Sequence, residues 1–203
     1  MMKKKLKFKK LMNEYRAQFY ELEYVKEVLK EAHTEFNEYY AKFCAKKKVQ
    51  LSKLNQKHES RVKQLFTPQP GLSKKIVKQV KENEYDAKKL FRQIAKKFHP
   101  DTLALDDPRV HEFEEVFKKA TSAIDNCQWG ELFNIADTYN LQFDDYESVN
   151  SSLVKDIQRI KKDISGKKDT YAWLLYHCET DAAKDEIIKR FLNHVYVDYR
   201  DPT

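Results

Sequence analysis

The amino-acid sequence predicts an all-α protein, and three observations carry that expectation. Charged residues make up 35% and hydrophobic residues 41% of 203 residues, whereas glycine occurs three times and proline five. That composition is rich in helix formers and poor in turn formers. Apolar residues recur at three- and four-residue steps along most of the chain, the period of a helix with one buried stripe. Residues 5–66 contain no Gly and no Pro at all. No segment reads as a sheet strand, and no internal repeat is present.

The first element follows from its stripe. Leu11, Tyr15, Phe19, Leu22, Val25, Leu29, Ala32, Phe36, Tyr39 or Tyr40, and Phe43 alternate between steps of three and four. Lys46 to Lys48 interrupt the pattern, which resumes at Leu51, Leu54, His58, Val62 and Leu65. A hairpin folding near 45–50 is the alternative, but no Gly, Pro or Asn-Gly marks a bend, so the spacing favours one long amphipathic or coiled-coil helix over 1–66, with 45–50 as the place for fraying or a kink. At 1.5 Å per residue it would reach roughly 90 Å. Its stripe must be covered, either by homodimerisation through this helix or by packing on the C-terminal helices.

The segment "TPQPGLS" (67–73) is dense in Pro and Gly and marks a boundary, with 67–84 as linker and helix lead-in. A helix pattern restarts near Ser73 and runs through Phe98. Pro108, with Asp106 or Asp107 as N-cap, opens the next helix, with Val110, Phe113, Phe117, Ala120, Ile124 and Cys127 as its stripe. A shorter helix follows in "WGELFNIADTYNL" (129–141). The acidic stretch "QFDDYESVNSS" reads as a loop leading to a helix over 153–164, which Gly166 is expected to break. "DTYAWLLYHC" and "AAKDEIIKRFLNHVYV" complete a C-terminal helical region, 129–203. Trp129 and Trp173 read as core anchors.

The stretch "KKLFRQIAKKFHPDTL" (88–103) carries the most chemistry. Phe91, Ile94, Ala95 and Phe98 fall on one helical face, at i, i+3, i+4 and i+7. Lys89, Arg92 and Lys96 fall on the opposite face, with Lys97 at its edge. His99 precedes a proline and is pushed out of the α region, Pro100 ends the ladder, and Asp101 is suited to close the turn. The following helix is then free to return antiparallel and pack Phe113, Phe117, Ala120 and Ile124 on Phe91, Ile94 and Phe98. This leaves His99-Pro100-Asp101 at the tip of a helical hairpin.

This segment resembles the J domain of DnaJ-like co-chaperones. The run from Lys88 to Asp101 follows that family's second-helix pattern: two basic residues, apolar, aromatic, basic, then apolar-Ala, basic, aromatic and His-Pro-Asp. Phe117, Ala120, Ala123 and Ile124 occupy the places of its third helix. The resemblance covers residues 85–127, within a J-domain-like hairpin spanning 85–128. The loop between Asp101 and Phe117 is longer than the family's usual one, and the family's short first helix has no clear counterpart before Tyr85. "LSKKIVKQVKENEYD" or a C-terminal helix would have to take its place. Small J proteins of phages and large viruses are the type it is most similar to.

The resemblance implies a co-chaperone that binds a DnaK-type heat-shock chaperone and stimulates its ATP hydrolysis, locking the chaperone onto a client protein. Lys88, Lys89, Arg92, Lys96 and Lys97 would meet an acidic surface. His99, Pro100 and Asp101 would enter between the chaperone's nucleotide domain and its linker. No covalent chemistry, and hence no enzyme activity or cofactor, is expected of the chain itself.

Charge offers a rival reading. The formal net charge is +7, but residues 1–66 hold 17 Lys and Arg against 8 Glu, a net of +9, while the remainder is slightly acidic. A nucleic-acid-binding or structural assembly protein using this arm is the alternative, and the first ten residues, with six Lys, are its strongest support. Beyond residue 20 the lysines alternate with Glu at helix spacing, as on a solvated face. Cys44, Cys127 and Cys178 lack metal or disulfide spacing and are expected to be semi-buried free thiols. His33, His58, His111, His177 and His194 form no metal-ligating pattern. No apolar run approaches the roughly 20 residues of a membrane span, and no secretory signal pattern opens the chain, so a cytoplasmic location is expected.

Overall fold

The computed structural model describes residues 2–65, 87–99 and 108–200. Eight helices occur among these residues, with no strand: α1 Met2–Lys46, α2 Leu51–Leu65, α3 Ala87–Phe98, α4 Val110–Asp125, α5 Trp129–Thr138, α6 Tyr146–Lys168, α7 Tyr171–Tyr176 and α8 Asp181–Val195. Among the described residues no helix is long and apolar enough to cross a membrane. The expected lead-in over 67–84, and Asp106 and Asp107 as N-caps, lie outside the described residues. Arg109 stands at the N-cap of α4 without a side-chain capping bond.

The chain forms two compact units, each assembled from two segments, whereas the partition read from the sequence runs in continuous blocks. One unit is Met1–Glu21 with Lys78–Lys162; the other is Leu22–Val77 with Asp163–Thr203. In the first, Phe8, Leu11, Met12 and Tyr15 of α1 are buried together with the inner faces of α3, α4, α5 and α6. Phe8 stacks obliquely on Phe143 at 4.9 Å between ring centroids. Arg16 bridges Asn134 and Asp137, its Nε donating to Asn134 at 2.8 Å. Buried Asp156 accepts the backbone N–H of Gly130 at 2.6 Å and pairs with Arg159 at 3.1 Å. Burial holds its carboxyl above the ordinary carboxylate range, against the lowering effects of Gly130 and Arg159. The start of α5 lies so close to α1 that a Cβ on Gly130 would meet the Tyr15 ring at 2.2 Å.

In the second unit, the rest of the α1 stripe, Leu22, Val25, Leu29, Ala32, Phe36 and Phe43, is buried with Ile187, Ile188 and Leu192 of α8. Phe191 packs edge-on against Phe36 at 5.1 Å. The Tyr39 hydroxyl donates to Asp185 at 2.7 Å, and the Tyr196 hydroxyl to Asn55 of α2 at 2.5 Å. The stripe is therefore covered by the C-terminal helices in each unit, which resolves the choice that the sequence left open.

Three expectations need correction. The single helix over 1–66 is broken: α1 ends at Lys46 and α2 begins at Leu51. Lys48 adopts φ 51°, while the N–H of Val49 donates to the Cys44 carbonyl at 2.9 Å and that of Lys48 to Ala45 at 3.2 Å. This is a Schellman cap built without glycine. The same closure recurs at Cys127 and Asn140, with φ 52° and 55°. Second, the "loop" before residue 153 is helical. The Asp145 carboxylate accepts the N–H of Glu147 at 2.8 Å and caps α6 seven residues earlier than expected. Third, Gly166 does not break α6, which runs to Lys168. An interior glycine costs only about 1 kcal/mol, and buried Ile157, Ile160 and Ile164 hold the helix in place.

Side-chain placement also departs in detail. Trp129 and Trp173 are half-buried and are not core anchors. The Trp173 ring stacks on His177 at 4.5 Å. All three cysteines are free, with Cys44 buried, Cys178 half-buried and Cys127 exposed beyond the end of α4.

Candidate functional site

Helix α3 is short, and its sequence fixes its orientation. Leu90, Ile94 and Phe98 are each fully buried, at one-turn spacing. The sequence reading placed Phe91 and Ala95 in this row. Both are half-buried at its edge, because α4 and α5 cover the helix from two sides and widen the apolar arc toward Leu90. Helix α4 is likewise rotated from its expected stripe. Phe113, Val116, Ala120 and Ala123 are buried, whereas Val110, Phe117 and Ile124 are half-buried.

Ring contacts set the register between α3 and α4. Phe98 meets Phe113 edge-on at 4.8 Å, and Phe91 stacks on Phe117 at 6.0 Å. The earlier residue of α3 thus pairs with the later residue of α4. The N–H of His99 donates to the Ala95 carbonyl at 2.9 Å, closing the last turn, and its ring packs edge-on against Phe117 at 4.9 Å. His99 is half-buried, held by its ring while the chain leaves the helix.

The cationic residues take the other face. Lys89, Arg92, Lys96 and Lys97 are all exposed. Lys89 forms an ion pair with Asp144, from the segment between α5 and α6. Lys97 donates to the Tyr139 carbonyl at 3.2 Å and sits 5.7 Å from that ring's centroid. Arg92 and Lys96 form no ion pair with a described residue. The structure thus brings Lys89, Arg92, Lys96, Lys97 and His99 together on one short helix and its end. The Lys88 side chain, Pro100 and Asp101 lie outside the described residues.

Two residues of this surface were not found by sequence reasoning. The Tyr139 ring packs on Phe98 at 4.6 Å, and its hydroxyl donates to Glu112 at 2.7 Å, so α5 anchors both α3 and α4 at the His99 end. Burial, reinforced by Glu112, pushes the Tyr139 hydroxyl up to about 12. Leu132, Ile135, Ala136 and Tyr139 stand at i, i+3, i+4 and i+7, so the signal was present. For Asp144 there was none: a surface ion pair 55 residues apart leaves no trace in local periodicity.

Among the described residues no cluster of three or more His, Cys, Asp or Glu is placed to hold a metal ion. The chain matches no protein-family model, no curated protein and no solved structure.

Proposed function

We propose that this protein is a J-domain-type co-chaperone, which binds a DnaK-type chaperone through α3 and the His99-Pro100-Asp101 turn and stimulates its ATP hydrolysis. One observation carries the reading. An exposed row of cations on α3 lies opposite a fully buried apolar row and ends at His99, immediately before Pro100 and Asp101 in sequence. Such a surface fits an acidic partner, with Arg92 and Lys96 steering encounter and Lys88, Lys89 and Lys97 fixing register. Pro100 would stiffen the turn, and Asp101 would supply a hydrogen-bonding carboxylate. Helix α5, packed on both α3 and α4, would do the bracing that the family assigns to its first helix. On this reading the chain positions a partner and performs no bond-making chemistry, and it works where such chaperones and their clients are found, in the cytoplasm.

A pull-down tests this with the full chain as bait. Wild-type protein should retain a DnaK-type chaperone, and His99→Gln protein should lose most of it while keeping the same thermal transition. Equal recovery by both baits would refute the assignment of the site.

A further inference from the structure

Helices α1 and α6 enclose a groove of about 600 Å³, bounded by Lys4 and Lys7 of α1 and by Asn150, Ser151, Val154 and Lys155 of α6. Both walls belong to the same compact unit. Lys4 pairs with Glu147 across the groove, and Glu14 pairs with Lys161 across it at 2.6 Å. Those two carboxylates are therefore already neutralised. Lys7 and Lys155, by contrast, are exposed and form no ion pair with a described residue, and the same holds for Lys3, Lys10 and Lys162. At ~100° per residue, Lys3 and Lys10 fall within about 60° of Lys7 on α1, and Lys162 within about 20° of Lys155 on α6. Each wall thus continues as a row of cations at one- or two-turn spacing.

The floor of the groove supplies a second observation. Asn150 is 4% exposed, and its Nδ2 donates to the Lys4 carbonyl at 3.1 Å. Its Oδ1 is buried and has no hydrogen-bond partner among the described residues. A buried acceptor left without a donor in the chain points to a donor from a ligand. A phosphodiester only accepts, so the ligand needs a hydroxyl or amino group beside its anionic groups. No aromatic ring lines the groove, which therefore offers bases no stacking platform. Acidic peptides gain affinity from apolar anchors, and among the lining residues Val154 alone is apolar.

We infer that this groove binds single-stranded RNA along its sugar–phosphate backbone, with Asn150 Oδ1 accepting from a ribose 2′-hydroxyl. Lys3, Lys7, Lys10, Lys155 and Lys162 meet the phosphates from two facing walls, as a cationic groove tracks a single backbone. The 2′-hydroxyl reaches Oδ1 once a neighbouring lysine stem turns outward, and a phosphate beside Lys7 or Lys155 draws that stem away. Deoxyribose lacks the donor, so the groove distinguishes RNA from DNA without reading bases. No residue of α3 lines it, and the inference does not rest on the chaperone reading.

Fluorescence anisotropy of the full chain at low salt tests it, with a labelled oligouridylate of about 12 nucleotides as probe. Affinity should fall with salt at a log–log slope of roughly −3.5, about 0.7 for each of five phosphates. Lys7→Gln with Lys155→Gln should bring that slope to roughly −2 and weaken binding about tenfold or more. The thermal transition should hardly move, since both side chains are exposed. The deoxy and 2′-O-methyl oligomers, which cannot donate at that position, should each bind roughly fivefold more weakly than the RNA. Absence of saturable RNA binding overturns the inference, as does an affinity that Lys7→Gln with Lys155→Gln leaves intact. Equal affinity for the three oligomers overturns the role of the 2′-hydroxyl and with it the RNA assignment. A polyglutamate peptide that competes as well as RNA would put an acidic protein segment in the groove and overturn it too.

Discussion

Helices α1 and α3 are both lysine-rich and amphipathic, and each divides its cations between those that complete the fold and those on display. On α1, five of the eleven basic side chains form ion pairs within the chain. Lys4 pairs with Glu147, Lys9 with Asp137, Arg16 with Asp137, Lys26 with Glu23 and Lys30 with Glu27. On α3, Arg92 and Lys96 form no ion pair with a described residue. Within the basic first ten residues Lys4 and Lys9 are paired, whereas Lys3, Lys5, Lys7 and Lys10 are exposed and form no ion pair with a described residue. The smaller cluster on α3 is the one that ends at His99. A count of charges weights every lysine equally, whereas geometry separates those that complete the fold from those on display.

Exchanging the two kinds of cation breaks or sharpens the contrast. Arg16→Ala should show the largest effect on folding. It leaves Asp137, whose side chain is 9% exposed, without its guanidinium, and chemical denaturation should show a loss of about 1–3 kcal/mol. Chaperone binding should change no more than the population of folded protein does. Arg92→Glu with Lys96→Glu should do the reverse. Stability should move by less than about 0.5 kcal/mol, while affinity for the chaperone, read by titration at low salt, falls roughly tenfold or more. If Arg16→Ala weakened binding in fully folded protein as strongly as the α3 pair does, the distinction would collapse.

A smaller effect concerns a buried anion. The Asp156 carboxyl is raised in the folded state, chiefly by desolvation. A carboxyl raised on folding stabilises the native state at pH below its unfolded value. That contribution is lost as pH rises through the folded value, because the unfolded chain releases the proton first. Asp156→Asn keeps an acceptor for the Gly130 N–H and removes the titration. Denaturation midpoints measured from acid to neutral pH should therefore shift in favour of the variant as pH rises. A difference that is flat with pH would show that Asp156 does not titrate in this way.

The same physics decides what was legible in the sequence. The stripes of α1 could be read at once, since burying one face forces the three- and four-residue spacing of Leu22, Val25, Leu29, Ala32 and Phe36. The end of α1 could not, because its Schellman cap uses Lys48 in place of the glycine that usually signals one. The start of α6 was hidden by an acidic run that reads as solvated loop until Asp145 is seen to cap it. Gly166 misled in the other direction: a single glycine weakens a helix but seldom ends it when the apolar face is well buried. At the candidate site, the cations and His99 were visible because they lie within one helix and its end. Their supports, Tyr139 and Asp144, come from more than 40 residues away and are set by tertiary packing.

The central claim is that α3 and its terminal turn form a display surface for a DnaK-type chaperone. Its most direct test is the single-turnover ATPase rate of such a chaperone with saturating protein, comparing wild type, His99→Gln and Asp101→Asn. The account predicts stimulation by wild type and a return to the unstimulated rate with either variant, both remaining folded. Undiminished stimulation by the variants, or none by wild type, would contradict it.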